Sequence, residues 1–204
     1  MTSYTDPTQH LFWLASRALG IVAIALLATS VTLGLALSGR YSRRPGMAAQ
    51  LKHLHEAVAL TALAAIAGHG LLLLGDSYLR PGLARIALPF ALAVKQTWTG
   101  MGVIGGWLAA LLGLSFYARR FIGVRTWRWL HRWTVAAYGL AVMHALGAGT
   151  DAASPWFVVL LALITAPPAF LFVLKLLPQS RRARPELHRP VVAALKPPAN
   201  ASLD

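Results

Sequence analysis

Histidine is the residue type in this sequence with the clearest potential for chemistry. The chain of 204 residues contains seven histidines and no cysteine, so iron–sulfur clusters and thiolate-bound metals are excluded. Five of the histidines fall on two predicted helices, and four of these have a spacing that suggests chemistry, namely His55, His69, His131 and His144. Because an ionisable side chain is costly inside a membrane helix, these residues are candidates for function.

The spacing of these histidines places them at two matching depths. His69 follows His55 by 14 residues, a rise of about 21 Å, and the next pair is 13 residues apart, a rise of about 19–20 Å. On two helices that run in the same direction, His55 shares one level with His131, and His69 shares the other with His144. Each level then offers two imidazoles to one metal. A metal in a flat macrocycle between the helices could bind both imidazoles, one on each face. Two such haems, with both axial positions filled, would form a path for electrons without a free site for oxygen.

The angular phase of the two pairs differs. At about 100° per residue, 14 residues return His69 to within roughly 40° of His55, whereas 13 residues leave His144 about 140° from His131. A straight helix would therefore not aim His131 and His144 at the same partner. We predict a kink or π-bulge, for which Gly139 is a candidate position, or a placement of His131 on a frayed first turn.

The helices that position these histidines are predicted to be membrane helices. The chain is 57% hydrophobic and 12% charged, whereas a soluble domain is about a quarter charged. Five apolar stretches qualify, or nearly so, as spans of roughly 20 residues; they are 18–37, 57–75, 97–118, 133–150 and 154–174. We predict an all-α integral membrane bundle of about five transmembrane helices within residues 1–177. A basic, Pro-rich, disordered cytoplasmic tail is predicted for residues 178–204.

Two local features add detail to this layout. Residues 86–94 are apolar but too short to span a bilayer, so we predict an interfacial or re-entrant segment there. Pro167 and Pro168 lie inside the last stretch. They predict a kink, because they remove two amide donors and their rings clash with the preceding turn.

Positive charge is concentrated in alternate connections of the chain, whose formal net charge is +13. The connections after the first, third and fifth stretches contain Arg40, Arg43, Arg44, Lys52, Arg119, Arg120, Arg125, Arg128, Arg132, Lys175, Arg181, Arg182, Arg184, Arg189 and Lys196. Short loops rich in Lys and Arg stay in the cytoplasm. We therefore predict a multi-pass protein of the cell's inner membrane with its N-terminus outside and its C-terminus inside. Topology and contact with anionic lipid of the bilayer account for the charge, so nucleic acid is not an expected partner.

Two further residues near helix ends need an interpretation. Arg17 is a candidate partner for a haem propionate, because arginine binds carboxylates bidentately. The alternative is an arginine that snorkels to the membrane interface. His53 lies beside Lys52 at the predicted interface, and we do not expect it to be a metal ligand.

The histidine spacing also carries a resemblance to a known family. The matching features are Leu54-His55-Glu56 with His69, Leu130-His131 with His144, Ser16-Arg17 with Gly20, the run 125–131, and Gly149-Thr150-Asp151. Over about residues 13–174 the chain resembles the ferric-reductase-like transmembrane domain. That family includes NADPH oxidases, iron reductases and the haem subunit of the bacterial periplasmic methionine-sulfoxide reductase system. The resemblance implies that His55 and His131 hold an inner haem b, and that His69 and His144 hold an outer one.

The function implied is that of a membrane cytochrome b, the electron-transfer subunit of an oxidoreductase, with electrons moving from inside to outside. Family members often carry a flavin and nicotinamide domain after the last helix, and this sequence shows none. Electrons would then come from a separate reductase, a flavin or a quinone pool, with ferric iron, oxygen or a redox protein as acceptor. One alternative is a non-redox transporter or assembly subunit whose histidines hydrogen-bond neighbouring helices. Another is a quinol-linked cytochrome of a different fold.

Overall fold

Helices make up nearly all of the described chain. The computed structural model describes residues 10–39, 46–77 and 79–177, and every regular element within them is a helix. The predicted tail therefore lies outside the described residues. The order is α1 (Leu11–Ser38), α2 (Met47–Leu72), α3 (Gly82–Ala87), α4 (Gln96–Ile122), α5 (Val124–His131), α6 (Thr134–Ala148) and α7 (Pro155–Leu176). A short 3-10 turn, Leu73–Gly75, extends α2. The predicted all-α architecture is confirmed.

Four helical stretches in the described part of the chain are long and apolar enough to cross a bilayer. They are α1, α4, α7, and α2 with its extension, and the shortest has 22 residues. A helix of that length rises about 33 Å, which suits a hydrocarbon core of about 30 Å. Large apolar side chains cover the outside of the bundle, including Leu111, Phe121, Leu163 and Phe170. Such a surface is suited to lipid and not to water, so the chain is a membrane protein.

The predicted stretch 133–150 forms a helix that is shorter than a straight membrane span. Its helix, α6, contains 15 residues, fewer than the roughly 20 that a straight span needs. The short helix α5 precedes it, and Arg132 and Trp133 separate the two helices. The predicted stretch therefore corresponds to α6 alone, and His131 and His144 lie on separate helices.

The segment 86–94 contains the end of α3 and a non-helical stretch after it. The indole N–H of Trp107 on α4 donates to the carbonyl oxygen of Ala87 over 2.8 Å, so the segment is attached to the bundle. Helix α7 continues through Pro167 and Pro168 without interruption.

The bundle consists of helix pairs. Helix α1 packs along α2 and also against α7, while α6 packs along α4. The buried core joins α1, α6 and α7 and comprises Ile24, Ala28, Val31, Leu35, Tyr138, Phe157 and Leu161. By contrast, the backbones of α2 and α6 approach each other at isolated points at most. The two histidine-bearing helices are therefore held by other helices and not by each other.

Candidate functional site

The four predicted histidines meet in two pairs. The ring centroid of His55 on α2 lies 6.1 Å from that of His131, with the ring planes at 90°. The centroid of His69 lies 6.1 Å from that of His144 on α6, with the planes at 72°. All four rings are half-buried. Since the pairs occur in the same order along both segments, α2 and the α5–α6 segment run in the same direction, as predicted.

The break between α5 and α6 explains how His131 joins its pair. His131 is the last residue of α5, and the chain turns at Arg132 before α6 begins. This turn resets the angular phase between His131 and His144, which a continuous helix would have placed on different sides. Gly139 lies within regular α-helix, so the predicted bulge at that residue is wrong. His131 does not lie on a frayed first turn of α6 either, because it ends the separate helix α5 and a break at Arg132 and Trp133 divides it from α6.

On α2, each of the two paired histidines directs its Nδ1 atom to a backbone carbonyl oxygen of α1. The Nδ1 of His69 lies 2.7 Å from the carbonyl oxygen of Ser16. The Nδ1 of His55 lies 2.9 Å from the carbonyl oxygen of Ser30. A carbonyl oxygen only accepts hydrogen bonds, so in each ring Nδ1 carries the proton and donates it.

The other two histidines face α4 in the same way. The Nδ1 of His144 lies 2.9 Å from the carbonyl oxygen of Trp98, and that of His131 lies 3.3 Å from the carbonyl oxygen of Leu112. No residue of the described chain hydrogen-bonds the Nε2 atom of any of the four rings. In the neutral imidazole Nε2 therefore holds a free lone pair. A metal-binding histidine has this arrangement, with its second nitrogen donating to a backbone carbonyl.

Two buried serines of α1 accompany the α2 histidines. Ser16 is 1% exposed and Ser30 is 6% exposed. The hydroxyl of Ser16 donates to the carbonyl oxygen of His69 over 2.7 Å, and that of Ser30 lies 3.3 Å from Nδ1 of His55. The sequence analysis missed Ser30. Its signal is the interval from Ser16, which equals the interval between the two histidines of α2.

An unpaired donor lies beside the His55–His131 pair. The ring of Trp127 is 5.2 Å from that of His131 and tilted by 32°, and the ring of Phe116 lies 5.6 Å from the same indole. The Nε1 atom of Trp127 is buried and has no hydrogen-bond partner in the described part of the chain. Because buried donors are almost always paired, this atom indicates a place for an acceptor that the described residues do not supply.

Charged side chains surround the same end of the bundle. The guanidinium of Arg119 lies 3.7 Å from the ring centroid of Phe116, and the ammonium of Lys52 lies 5.9 Å from it. The hydroxyl of Tyr117 donates to the carboxylate of Glu56 over 2.8 Å. The His55–His131 pair is therefore close to a polar, cation-rich end.

At the opposite end, Arg17 has a partner within the protein. Its guanidinium forms a bidentate ion pair with the carboxylate of Asp151, and it also lies 5.5 Å from the ring centroid of Trp13. A haem propionate as the partner of Arg17 stays a prediction. His53, which was not expected to be a ligand, is exposed on α2.

At each of the two levels, the described residues bring together one pair of histidines. Within residues 10–39, 46–77 and 79–177, no group of three or more His, Cys, Asp or Glu side chains is placed to hold a metal ion. Comparisons with known protein families, with curated proteins and with solved structures find no match to this chain. The arrangement of the histidines is therefore the basis for inferring function.

Proposed function

We propose that this protein is a membrane cytochrome b of the ferric-reductase-like type, which carries electrons across the bilayer through two bis-histidine haem b groups. One observation carries the proposal. Two histidine pairs have the same ring separation of 6.1 Å, and all four Nδ1 atoms are occupied by backbone carbonyls.

The ring separation fits a metal ion between the two rings of each pair. Two metal–nitrogen bonds of about 2.0–2.1 Å, plus roughly 1 Å from each nitrogen to its ring centroid, place the centroids about 6 Å apart. The observed 6.1 Å agrees with this sum at both levels. Direct ring–ring packing accounts for the separation as well, so the separation supports the proposal only together with the free Nε2 atoms.

The number of ligands favours a metal that brings further ligands of its own. A zinc ion bound by protein needs three or four side chains, whereas each level here offers two imidazoles. A haem supplies four equatorial nitrogens and, when bound through two histidines, one-electron redox chemistry. The limited approach of α2 to α6 is consistent with a flat group between them. The unpaired Nε1 of Trp127 suits an acceptor such as a propionate.

The chain's own residues perform three tasks in this proposal. The carbonyl oxygens of α1 and α4 hold the Nδ1 protons, which fixes the ring orientation and makes Nε2 the better electron donor. The apolar helices exclude water from the rings. The interval from His55 to His69 on α2 sets the two levels about 21 Å apart along the helix, so electrons would cross most of the bilayer in one step between levels.

The direction and the partners belong to the same proposal. With the basic loops in the cytoplasm, the His55–His131 pair is the inner level and receives electrons first. The donor is a separate reductase, a flavin or a quinone pool, and the acceptor lies outside the membrane. The competing function is a non-redox membrane protein with structural histidines. It is favoured by the fact that each ring already has a hydrogen bond without a metal.

A dithionite-reduced minus oxidised visible spectrum of the detergent-purified protein separates these functions, together with extraction and counting of haem per chain. We expect a b-type, bis-imidazole spectrum and about two haems per chain. One haem would retain the cytochrome and reduce the ligands to one pair. Absence of haem from folded protein, expressed with adequate haem supply, would overturn the proposal in favour of structural histidines.

A further inference from the structure

Three of the four carbonyl oxygens that bind the histidines lie four residues before a glycine. Ser16 is followed by Gly20, and Ser30 by Gly34. A Cβ added at Gly20 would lie 3.0 Å from Nδ1 of His69, and one at Gly34 would lie 3.3 Å from Cε1 of the ring it faces. Both positions are tighter than ordinary van der Waals contact. The glycines therefore mark the places where the imidazoles cross α1.

Helix α4 repeats this relation for His144. Trp98, whose carbonyl oxygen accepts from His144, is followed four residues later by Gly102. A Cβ at Gly102 would lie 2.5 Å from Nδ1 of His144, a separation that real side chains do not show. The indole ring of Trp98 in turn lies against Gly147 of α6. The close approach of α4 and α6 at this level thus depends on a glycine from each helix.

Helix geometry explains why the fourth residue matters. In an α-helix, the carbonyl oxygen of residue i accepts from the N–H of residue i+4, and the Cβ of residue i+4 lies beside that oxygen. Serine and threonine hydroxyls exploit this proximity to bond the carbonyl at i−4, as Thr29 does with Ala25 in this chain. A bulky outside donor such as an imidazole comes close to that Cβ when it approaches the same oxygen, unless residue i+4 is glycine.

We propose that Gly20, Gly34 and Gly102 are positioning residues for the histidine ligands. Each leaves open the side of a helical carbonyl oxygen, so that an imidazole Nδ1–H reaches it and directs Nε2 away from the helix. The role in metal binding rests on the function proposed above. The hydrogen bond and the ring orientation do not.

The fourth histidine provides an internal comparison. The residue four positions after Leu112 is Phe116 and not glycine. The hydrogen bond from His131 to Leu112 is 3.3 Å long, compared with 2.7–2.9 Å for the three that have a glycine. His131 is instead supported by the ring of Trp127. The bond is longest at the one position where the residue four places after the acceptor carries a Cβ.

The spacing of the carbonyl acceptors matches the spacing of the ligands. The interval from Ser16 to Ser30 on α1 equals the interval from Trp98 to Leu112 on α4. The interval from His55 to His69, the two paired histidines of α2, is the same. Two helices thus offer carbonyl oxygens at the two levels where the other helices offer imidazoles. Three of the four carbonyl acceptors have a glycine four residues later.

Alanine substitution tests this role through the redox potential. A weakened Nδ1–H···O bond makes the imidazole a poorer donor to ferric iron, so the midpoint potential of that haem should rise. We expect Gly20→Ala and Gly102→Ala to raise the potential of one haem, or to release it, and Gly34→Ala to affect the other. Gly139→Ala is the matched control, because its added Cβ meets nothing within 4 Å and should leave both potentials unchanged. Unchanged potentials in all three variants, or an equal change in the control, would overturn the proposal.

A second pair of variants tests the same role if the alanine variants do not fold. These variants should strengthen a histidine hydrogen bond and so lower a midpoint potential. Phe116→Gly and Phe116→Ala both remove the aromatic ring, but only the glycine variant removes the Cβ beside the carbonyl oxygen of Leu112. We expect a lower potential for the His55–His131 haem in Phe116→Gly than in Phe116→Ala. Equal potentials in the two variants would contradict the role of the Cβ.

The same role has a readout without haem. If the wild-type protein binds no haem, the proposed function fails, and 15N spectra of histidine-labelled protein still test the positioning. We expect wild-type His69 and His144 to be fixed as the Nδ1–H tautomer, and Gly20→Ala and Gly102→Ala to show a mixture. A fixed tautomer in the alanine variants would overturn the positioning role.

Discussion

Ser16 and His69 are joined by two reciprocal hydrogen bonds, and the Ser16 hydroxyl also lies 3.2 Å from Nδ1 of His69. The Nδ1–H of His69 donates to the carbonyl oxygen of Ser16, and the hydroxyl of Ser16 donates to the carbonyl oxygen of His69, each over 2.7 Å. Both bonds lie where α1 crosses α2, and Ser16 is almost completely buried. The orientation of the imidazole is therefore coupled to the packing of the two helices.

Ser16→Ala should destabilise the protein more than Ser30→Ala. The Ser16 hydroxyl makes a bond of normal length, whose loss costs about 0.5–1.5 kcal/mol. The Ser30 hydroxyl lies 3.3 Å from Nδ1 of His55, while the carbonyl of Ser30 remains in either variant. Thermal unfolding in detergent measures the difference. An equal loss of stability would mean that the Ser16 hydroxyl contributes no more than the Ser30 hydroxyl.

Replacing one histidine of a pair should affect one level only. We expect His69→Ala and His144→Ala each to remove one of two haems and to leave the other spectrally intact. His55→Ala should remove the complementary haem. His53→Ala is the control on the same helix, because His53 is exposed and belongs to neither pair. Haem counts and resolved α-band spectra measure the outcome, and loss of both haems from every single variant would argue against two independent levels.

Trp127→Phe should weaken the haem-bound protein without harming the protein alone. The Nε1 donor is buried without a partner in the described residues, so its removal costs the haem-free chain nothing and can stabilise it. If the donor binds a haem propionate, its removal weakens retention of the haem held by His55 and His131. The measurement is haem release to apomyoglobin. Wild-type release rates in Trp127→Phe would show that the donor has another partner.

The sequence predicted the pairing of the histidines but only part of the way in which it is achieved. The intervals from His55 to His69 and from His131 to His144 determine the depth of each ring, because helical rise is uniform. Angular phase showed that a regular helix from His131 to His144 fails. The break lies at Arg132 and not at Gly139. Its position depends on packing against α4, which a single amino-acid sequence does not directly indicate.

The acceptors of the Nδ1 protons were harder to foresee. A backbone carbonyl has no residue type, so Trp98 and Leu112 could not be recognised from their side chains. Ser30 was recognisable in principle, because the pattern Ser-x-x-x-Gly begins at Ser16 and begins again at Ser30. The partner of Arg17 is far away in the sequence, on the connection before α7, and a contact of that range follows from the fold alone.

The pair of Arg17 and Asp151 leads to a prediction that separates two roles of the arginine. It joins α1 to the connection before α7, and its side chains are 34% and 12% exposed. If the pair is structural, Arg17→Gln and Asp151→Asn should each lower the melting temperature in detergent. The double variant should be little worse than either, since neighbouring partners couple by about 0.5–3 kcal/mol.

Redox measurements on the same variants decide whether Arg17 also acts on a cofactor. Asp151→Asn leaves the arginine charge in place, whereas Arg17→Gln removes it. A purely structural pair predicts that both variants keep the His69–His144 haem, and that its potential rises slightly in Asp151→Asn and falls slightly in Arg17→Gln, because the two changes alter the local charge in opposite directions. A loss of haem confined to Arg17→Gln would instead show that the guanidinium contacts a propionate directly, in addition to holding Asp151.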